Sequence, residues 1–163
     1  MPILDAMQPT DVAAVAAIEA RQHMTPWHAS SFDDALRNGW HGRVLRETAH
    51  PGAPVLGYFV AMSAGDDEEL LTITVAPEAE GQGYGRLLLE SLLAEASARG
   101  AERLFLEVRQ SNVRAMRLYE SAGFTIVGMR KNYYATPADP VLARPAGREH
   151  AVLMMRLLQA RAS

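Results

Sequence analysis

Glu107, Tyr119 and the segment Glu80-Gly81-Gln82-Gly83-Tyr84-Gly85-Arg86 are the parts of this sequence whose residue types and spacing suit chemistry. Alternating glycines let the backbone curl so that several N–H groups converge, and a following helix start adds partial positive charge. Together they make a cradle for an anion the size of a pyrophosphate. A plain flexible turn also uses glycine, but three alternating glycines between a strand and a strong helix favour the cradle. A Walker loop needs a Lys-Ser/Thr pair at its end, and Lys131, the one lysine, is far away. A Rossmann fingerprint needs its third glycine where Arg86 stands.

Glu107 falls inside the strand Arg103 to Arg109, on the face opposite Leu104, Leu106 and Val108. An apolar flank shields a carboxylate from water, which suits a proton acceptor. A solvated strand residue or an ion pair with a nearby arginine accounts for the position equally well. Tyr119 lies in an apolar helical stretch with Ala115, Met116 and Leu118, where the common use of tyrosine is packing with its hydroxyl tied off.

These residues need elements to hold them. Pro2 to Met7 reads as a strand, followed by a helix capped at Thr10 and Asp11 with Val12, Val15 and Ile18 on one face. After a break at Thr25-Pro26-Trp27, Ser30-Ser31 start a second helix through about Leu36. Arg43 to Thr48, Val55 to Ser63 and Leu70 to Ala76 read as an antiparallel meander, with Asp66 to Glu69 as a solvated acidic turn. A helix over Arg86 to Arg99 ends at Gly100, and one capped by Ser111-Asn112 ends near Gly123. Strands at Phe124 to Arg130 and Ala151 to Leu157 flank a loop from Thr136 to Gly147. The pattern predicts one mixed α/β domain spanning residues 1–163, with a disordered tail after about 158.

Composition narrows the field. The chain has 163 residues, 48% of them hydrophobic, and no cysteine, which removes disulfides, thiolate metal sites and a cysteine nucleophile. The five histidines, His23, His28, His41, His50 and His150, lack metal-ligand spacing, so no metal is expected. A net charge of -3 argues against direct nucleic-acid binding. The N-terminus lacks a secretory pattern, and the uncharged stretch Pro54 to Gly65 is far short of the ~20 apolar residues of a membrane helix. A cytoplasmic protein is the expectation, and the oligomeric state is left open.

A G-x-G-x-G loop after a meander and before a long helix resembles the coenzyme A loop of the GCN5-related N-acetyltransferases (GNAT). The match continues through Leu106-Glu107-Val108-Arg109, Ser111-Asn112, Ala115, Leu118-Tyr119-Glu120 and Gly123-Phe124. Pro26-Trp27, Arg130-Lys131-Asn132-Tyr133-Tyr134 and Gly147-Arg148-Glu149 are similar to the RimI-type branch, which acetylates the N-terminal alanine of a small-subunit ribosomal protein. Glu80 and His150 depart from the family pattern, which has Gln or Arg and Asp at those positions.

The resemblance implies a twisted, mostly antiparallel sheet flanked by helices, with its central strands splayed. It implies acetyl-CoA as co-substrate, its pantetheine arm along Ile73, Thr74 and Val75, and its pyrophosphate over Gly81, Gln82, Gly83, Tyr84, Gly85 and Arg86. Asn112 becomes both helix cap and coenzyme contact. Glu107 becomes the general base, Tyr119 the general acid beside the coenzyme sulfur, and a backbone N–H near Val75 the oxyanion donor. Trp27, Asn132, Tyr133 and Tyr134 become walls of the acceptor site. At a reference pKa of about 7.7 to 8.0, roughly one α-amine in ten is already neutral at pH 7, so a weak base suffices for an N-terminal substrate. Transfer to another amine, such as a lysine side chain, and a silent coenzyme-binding module are the rival readings.

Overall fold

Alternation along Val55–Ala64 divides the molecule in two. Tyr58 and Val60 face one side of a sheet, Phe59 and Ala61 the other, and all four are buried. Two apolar clusters result, one containing Val12, Val15, Ile18 and Phe32, the other Leu88, Leu89, Leu92, Leu104 and Leu106.

In this computed structural model, residues 1–158 are described; the tail expected after about 158 lies outside them. The strands are Ile3–Ala6 (β1), His41–Arg46 (β2), Val55–Ala64 (β3), Asp67–Val75 (β4), Arg103–Arg109 (β5), Thr125–Thr136 (β6) and Gly147–Leu157 (β7). The helices are Val12–Gln22 (α1), Ala29–Arg37 (α2), Tyr84–Ala98 (α3) and Val113–Ser121 (α4). One sheet runs in the order β1-β2-β3-β4-β5-β7-β6, and the expected meander is β2, β3 and β4. The clusters put α1 and α2 on one face and α3 and α4 on the other.

Every neighbouring pair is antiparallel except β4 and β5. A parallel pair needs a crossover, which α3 supplies. The parallel ladder begins at Asp67 opposite Arg103 and stops at Leu70 opposite Leu106. Beyond that point residues 71–75 of β4 stay with β3, and residues 107–109 of β5 stay with β7. The central strands splay as the resemblance implied.

Several local expectations need correction. Asp66 to Glu69 is no solvated turn: Asp67 already belongs to β4, and Glu68 is 2% exposed. Its carboxylate takes two bonds from Arg99, at 2.9 and 2.6 Å, which is how a strand buries a charge. α3 starts at Tyr84, so Gly85 sits in its first turn instead of the loop. β6 runs on to Thr136, so Asn132, Tyr133 and Tyr134 are strand residues. Asp11 does not cap α1 with its side chain; its carboxylate takes the Gln8 N–H at 2.8 Å and pairs with Arg46. His28, not Ser30 or Ser31, precedes α2 as its cap residue.

Gly57 of β3 lies where α3 crosses the sheet. A Cβ there would stand 2.8 Å from the Thr74 carbonyl oxygen and 2.9 Å from Leu88 Cδ1. Gly57→Ala is therefore expected to destabilise the fold by about 1–3 kcal/mol through overpacking, read from urea unfolding midpoints.

Candidate active site

The gap between β4 and β5 leads to two adjoining cavities of about 370 and 230 Å³. His23, Ile73, Asn112, Ala115 and Tyr119 line both.

The larger cavity is walled by Ile73, Thr74 and Val75 of β4, by Gly81, Gly83, Tyr84, Gly85 and Arg86, and by α4. Gly81 and Gly83 adopt φ of +78° and +82°, the left-handed region that glycine enters without penalty. No atom lies within 4 Å of a Cβ built on either, so the backbone curve is open to a ligand. Gly83 is the N-cap of the 15-residue α3, whose orphan N–H groups and dipole favour an anion. This curved backbone, the helix end and the bare edge of β4 fit a pyrophosphate carrying an extended amide-bearing arm. Gln82 is exposed and outside both cavities; it accepts a bond from the Tyr84 hydroxyl at 3.2 Å.

Glu80, the departure at the head of the loop, is also accounted for. Its carboxylate accepts from Gln22 Nε2 at 2.7 Å and pairs with Arg114 at 3.4 Å. Those partners, Gln22 first, pull it below the usual carboxylate range. Gln22 also donates to the Val75 carbonyl at 2.7 Å, so α1 braces the end of β4.

The smaller cavity holds Trp27, Glu107, Tyr119 and Tyr134 together, four residues far apart in sequence. Glu107 faces the α1 side of the sheet, because Leu104, Leu106 and Val108 occupy the opposite face. Its side chain is 18% exposed and pairs with Arg130 at 3.1 Å, so the ion pair left open by the sequence exists. Tyr119 reaches the cavity from α4 on the other face and is 7% exposed. Burial, and secondarily the Tyr134 phenol, push its hydroxyl well above the ordinary tyrosine range, so it stays protonated as a donor must. Asn112 serves as the N-cap of α4, its Oδ1 accepting from the Ala115 N–H at 3.2 Å, while also lining both cavities.

Two residues of the expected acceptor wall stand outside it. Tyr133 is 46% exposed. Asn132 occupies a bulge at φ +51°, and its N–H donates to His150 Nδ1 at 2.9 Å. His150, the departure from the family's Asp, thus secures the bulge that turns Tyr134 back into register opposite Glu149.

Sequence reasoning missed Glu19 and gave His23 only a failed metal role. Glu19 is 3% exposed and lines the smaller cavity. It accepts from the Tyr58 hydroxyl at 2.7 Å, the Thr72 hydroxyl at 3.0 Å and the Trp27 N–H at 3.0 Å. His23 Nε2 stands 2.7 Å from Thr74 Oγ1 and 3.5 Å from the same carboxylate. A polar pair at the end of a helix, just before a Pro-Trp break, was the available signal; its side-chain partners Tyr58, Thr72 and Thr74 are 39 to 53 residues away.

The chain is similar in sequence and fold to known proteins. Residues 12–124 match the Acetyltransferase (GNAT) family. The ribosomal protein bS18-alanine N-acetyltransferase of Escherichia coli (strain K12) is 36% identical over 94% of this chain and 96% of its own length. Its counterpart from Haemophilus influenzae is 34% identical over 94% and 97%. The crystal structure of the Escherichia coli ribosomal-protein-S18-alanine N-acetyltransferase superposes with a TM-score of 0.85, covering 100% of this chain and 97% of that one.

A side chain at Gly83 meets no neighbour, so only the backbone conformation resists substitution. Forcing an L-residue into the left-handed region costs about 1–2 kcal/mol. Gly83→Val is expected to raise the coenzyme A dissociation constant about tenfold in calorimetric titration, with the melting temperature lowered by about 2–8 °C.

Proposed function

This chain belongs to the GNAT acetyltransferase family, and from that premise we propose that it transfers acetyl to the N-terminal alanine of ribosomal protein bS18. The single observation that carries the reading is the pairing of Glu107 and Tyr119 across one small cavity that opens into the coenzyme cleft. Relatives named for this acceptor, matching over nearly the whole chain, support the choice of amine. The enzyme is an N-acetyltransferase and its acyl donor is acetyl-CoA, which supplies an acetyl thioester.

In this reading Gly81, Gly83, Tyr84 and the N–H groups opening α3 hold the pyrophosphate, and Ile73 to Val75 hold the pantetheine arm. The acceptor's α-amine enters the smaller cavity beside Glu107. Glu107 takes the ammonium proton on one of its carboxylate oxygens, directly or through a water, leaving a neutral amine to attack. Arg130, 3.1 Å from that carboxylate, holds it in place. Tyr119 donates its hydroxyl proton on the leaving-group side, and the proton released as the amide forms restores it. No covalent bond to the enzyme is made. The walls are Trp27 and Tyr134; Asn132 and Tyr133 sit farther out, on the acceptor's approach.

A ribosomal-protein acceptor places the reaction in the cytoplasm. No helix among the described residues is long and apolar enough to cross a membrane.

Purified protein with acetyl-CoA and two peptides tests the reading by mass. One peptide carries the free alanine end of bS18; the other has a blocked N-terminus and an internal lysine. A single acetyl on the first alone is expected, and acetyl on the second alone overturns it. Glu107→Gln and Tyr119→Phe should each lower turnover about 10²- to 10⁴-fold, the usual range for a lost general base or acid. Coenzyme affinity should change little, and full activity in both variants removes these assignments.

A further inference from the structure

Arg109 ends β5 two residues beyond Glu107, on the same face of the sheet. Its side chain is only 12% exposed and it lines the smaller cavity. Nη1 donates to the Ala135 carbonyl oxygen and to Glu149 Oε1, both at 3.0 Å. Nη2 donates to Thr25 Oγ1 at 2.8 Å. The guanidinium carbon also lies 4.5 Å from the centre of the Tyr134 ring. The Ser111 hydroxyl donates to the same Glu149 oxygen at 3.0 Å, so that carboxylate is itself held in place.

One guanidinium therefore joins β5, β6, β7 and the segment between α1 and α2. Thr25 and Tyr134 line the smaller cavity too. The α1–α2 segment has a second tie, the Trp27 N–H to Glu19, while Tyr134 has the stack on Arg109. A planar fork that donates in fixed directions while its face covers an aromatic ring is a property of arginine that lysine lacks. Glu149 offsets the charge, so an incoming ammonium meets an ion pair and not a bare cation.

We propose that Arg109 is the positioning residue of the acceptor site: by holding Thr25 and Tyr134 together it sets how the α1–α2 segment and β6, which both line the cavity, are placed around the incoming amine. The proposal rests on reading the smaller cavity as the acceptor site.

The test compares wild type with Arg109→Lys, Thr25→Val and Tyr134→Leu, using the alanine-initiated peptide, coenzyme titration and hydrogen exchange of the coenzyme-bound protein. Arg109→Lys should raise the peptide KM about tenfold and Thr25→Val severalfold, with smaller changes in kcat and unchanged coenzyme affinity. Amides of residues 23–28 and 132–136 should exchange faster in Arg109→Lys, while residues 151–155 keep their protection. Retention of charge without rescue by lysine separates the planar clamp from a simple electrostatic role. An unchanged peptide KM in both Arg109→Lys and Thr25→Val, or faster exchange spread evenly over the sheet, would falsify the proposal. Should Arg109→Lys not fold, Thr25→Val and Tyr134→Leu decide in the same way. Should wild type leave the peptide unmodified, the acceptor reading fails; faster exchange confined to residues 23–28 and 132–136 then still upholds the clamp, and unchanged exchange overturns it.

Discussion

The parting of β4 and β5 after Leu70 and Leu106 is the constraint on which everything else depends. Two parallel strands that stopped pairing inside a closed sheet would leave unmet N–H and C=O groups, at a cost comparable to lost hydrogen bonds. Here the freed edges line clefts where a ligand with amide groups can meet them. The same gap joins the two faces of the sheet, so Glu107 on the α1 side and Tyr119 on the α4 side reach one cavity. A fully zipped β4–β5 ladder would separate them.

Charge placement follows from that gap. Glu107 pairs with Arg130, Arg109 with Glu149, and Glu80 with Gln22 and Arg114. Glu69 adds a further carboxylate nearby, raised above its usual range by burial and then by Glu107. Glu19 is the exception in kind: a buried carboxylate held chiefly by neutral donors, Tyr58, Thr72 and the Trp27 N–H. Such a group is tolerated only because its lone pairs are met, and it fixes where the α1–α2 segment leaves its helix.

Much of this was legible in the residues themselves. Alternation in residues 103–109 put Glu107 on the polar face of its strand, since side chains alternate whatever the strand packs against. The glycines at 81 and 83 announced positive φ; of Leu87, Leu88, Leu92 and Leu93, which recur at helical spacing, the last three form the buried side of α3, while Leu87 is exposed. Asn112 read correctly as a cap because capping is local, decided within three residues. The resemblance extended this to the coenzyme and the two catalytic candidates.

What the tertiary structure alone decided were the relations between distant segments. Spacing cannot show that Arg109 meets Thr25, 84 residues away, or that Glu19 accepts from Thr72, 53 away. Nor can composition separate a solvated acidic turn from the buried Glu68–Arg99 pair, because hydropathy does not record a partner 31 residues off. Tyr133 and Tyr134 are the same residue type side by side, yet only Tyr134 enters the cavity. A bulge at Asn132, held by His150, decides which of the two turns inward. Local pattern determines element and face; the site's walls depend on register and long-range hydrogen bonds, which exist only once the sheet has closed around them.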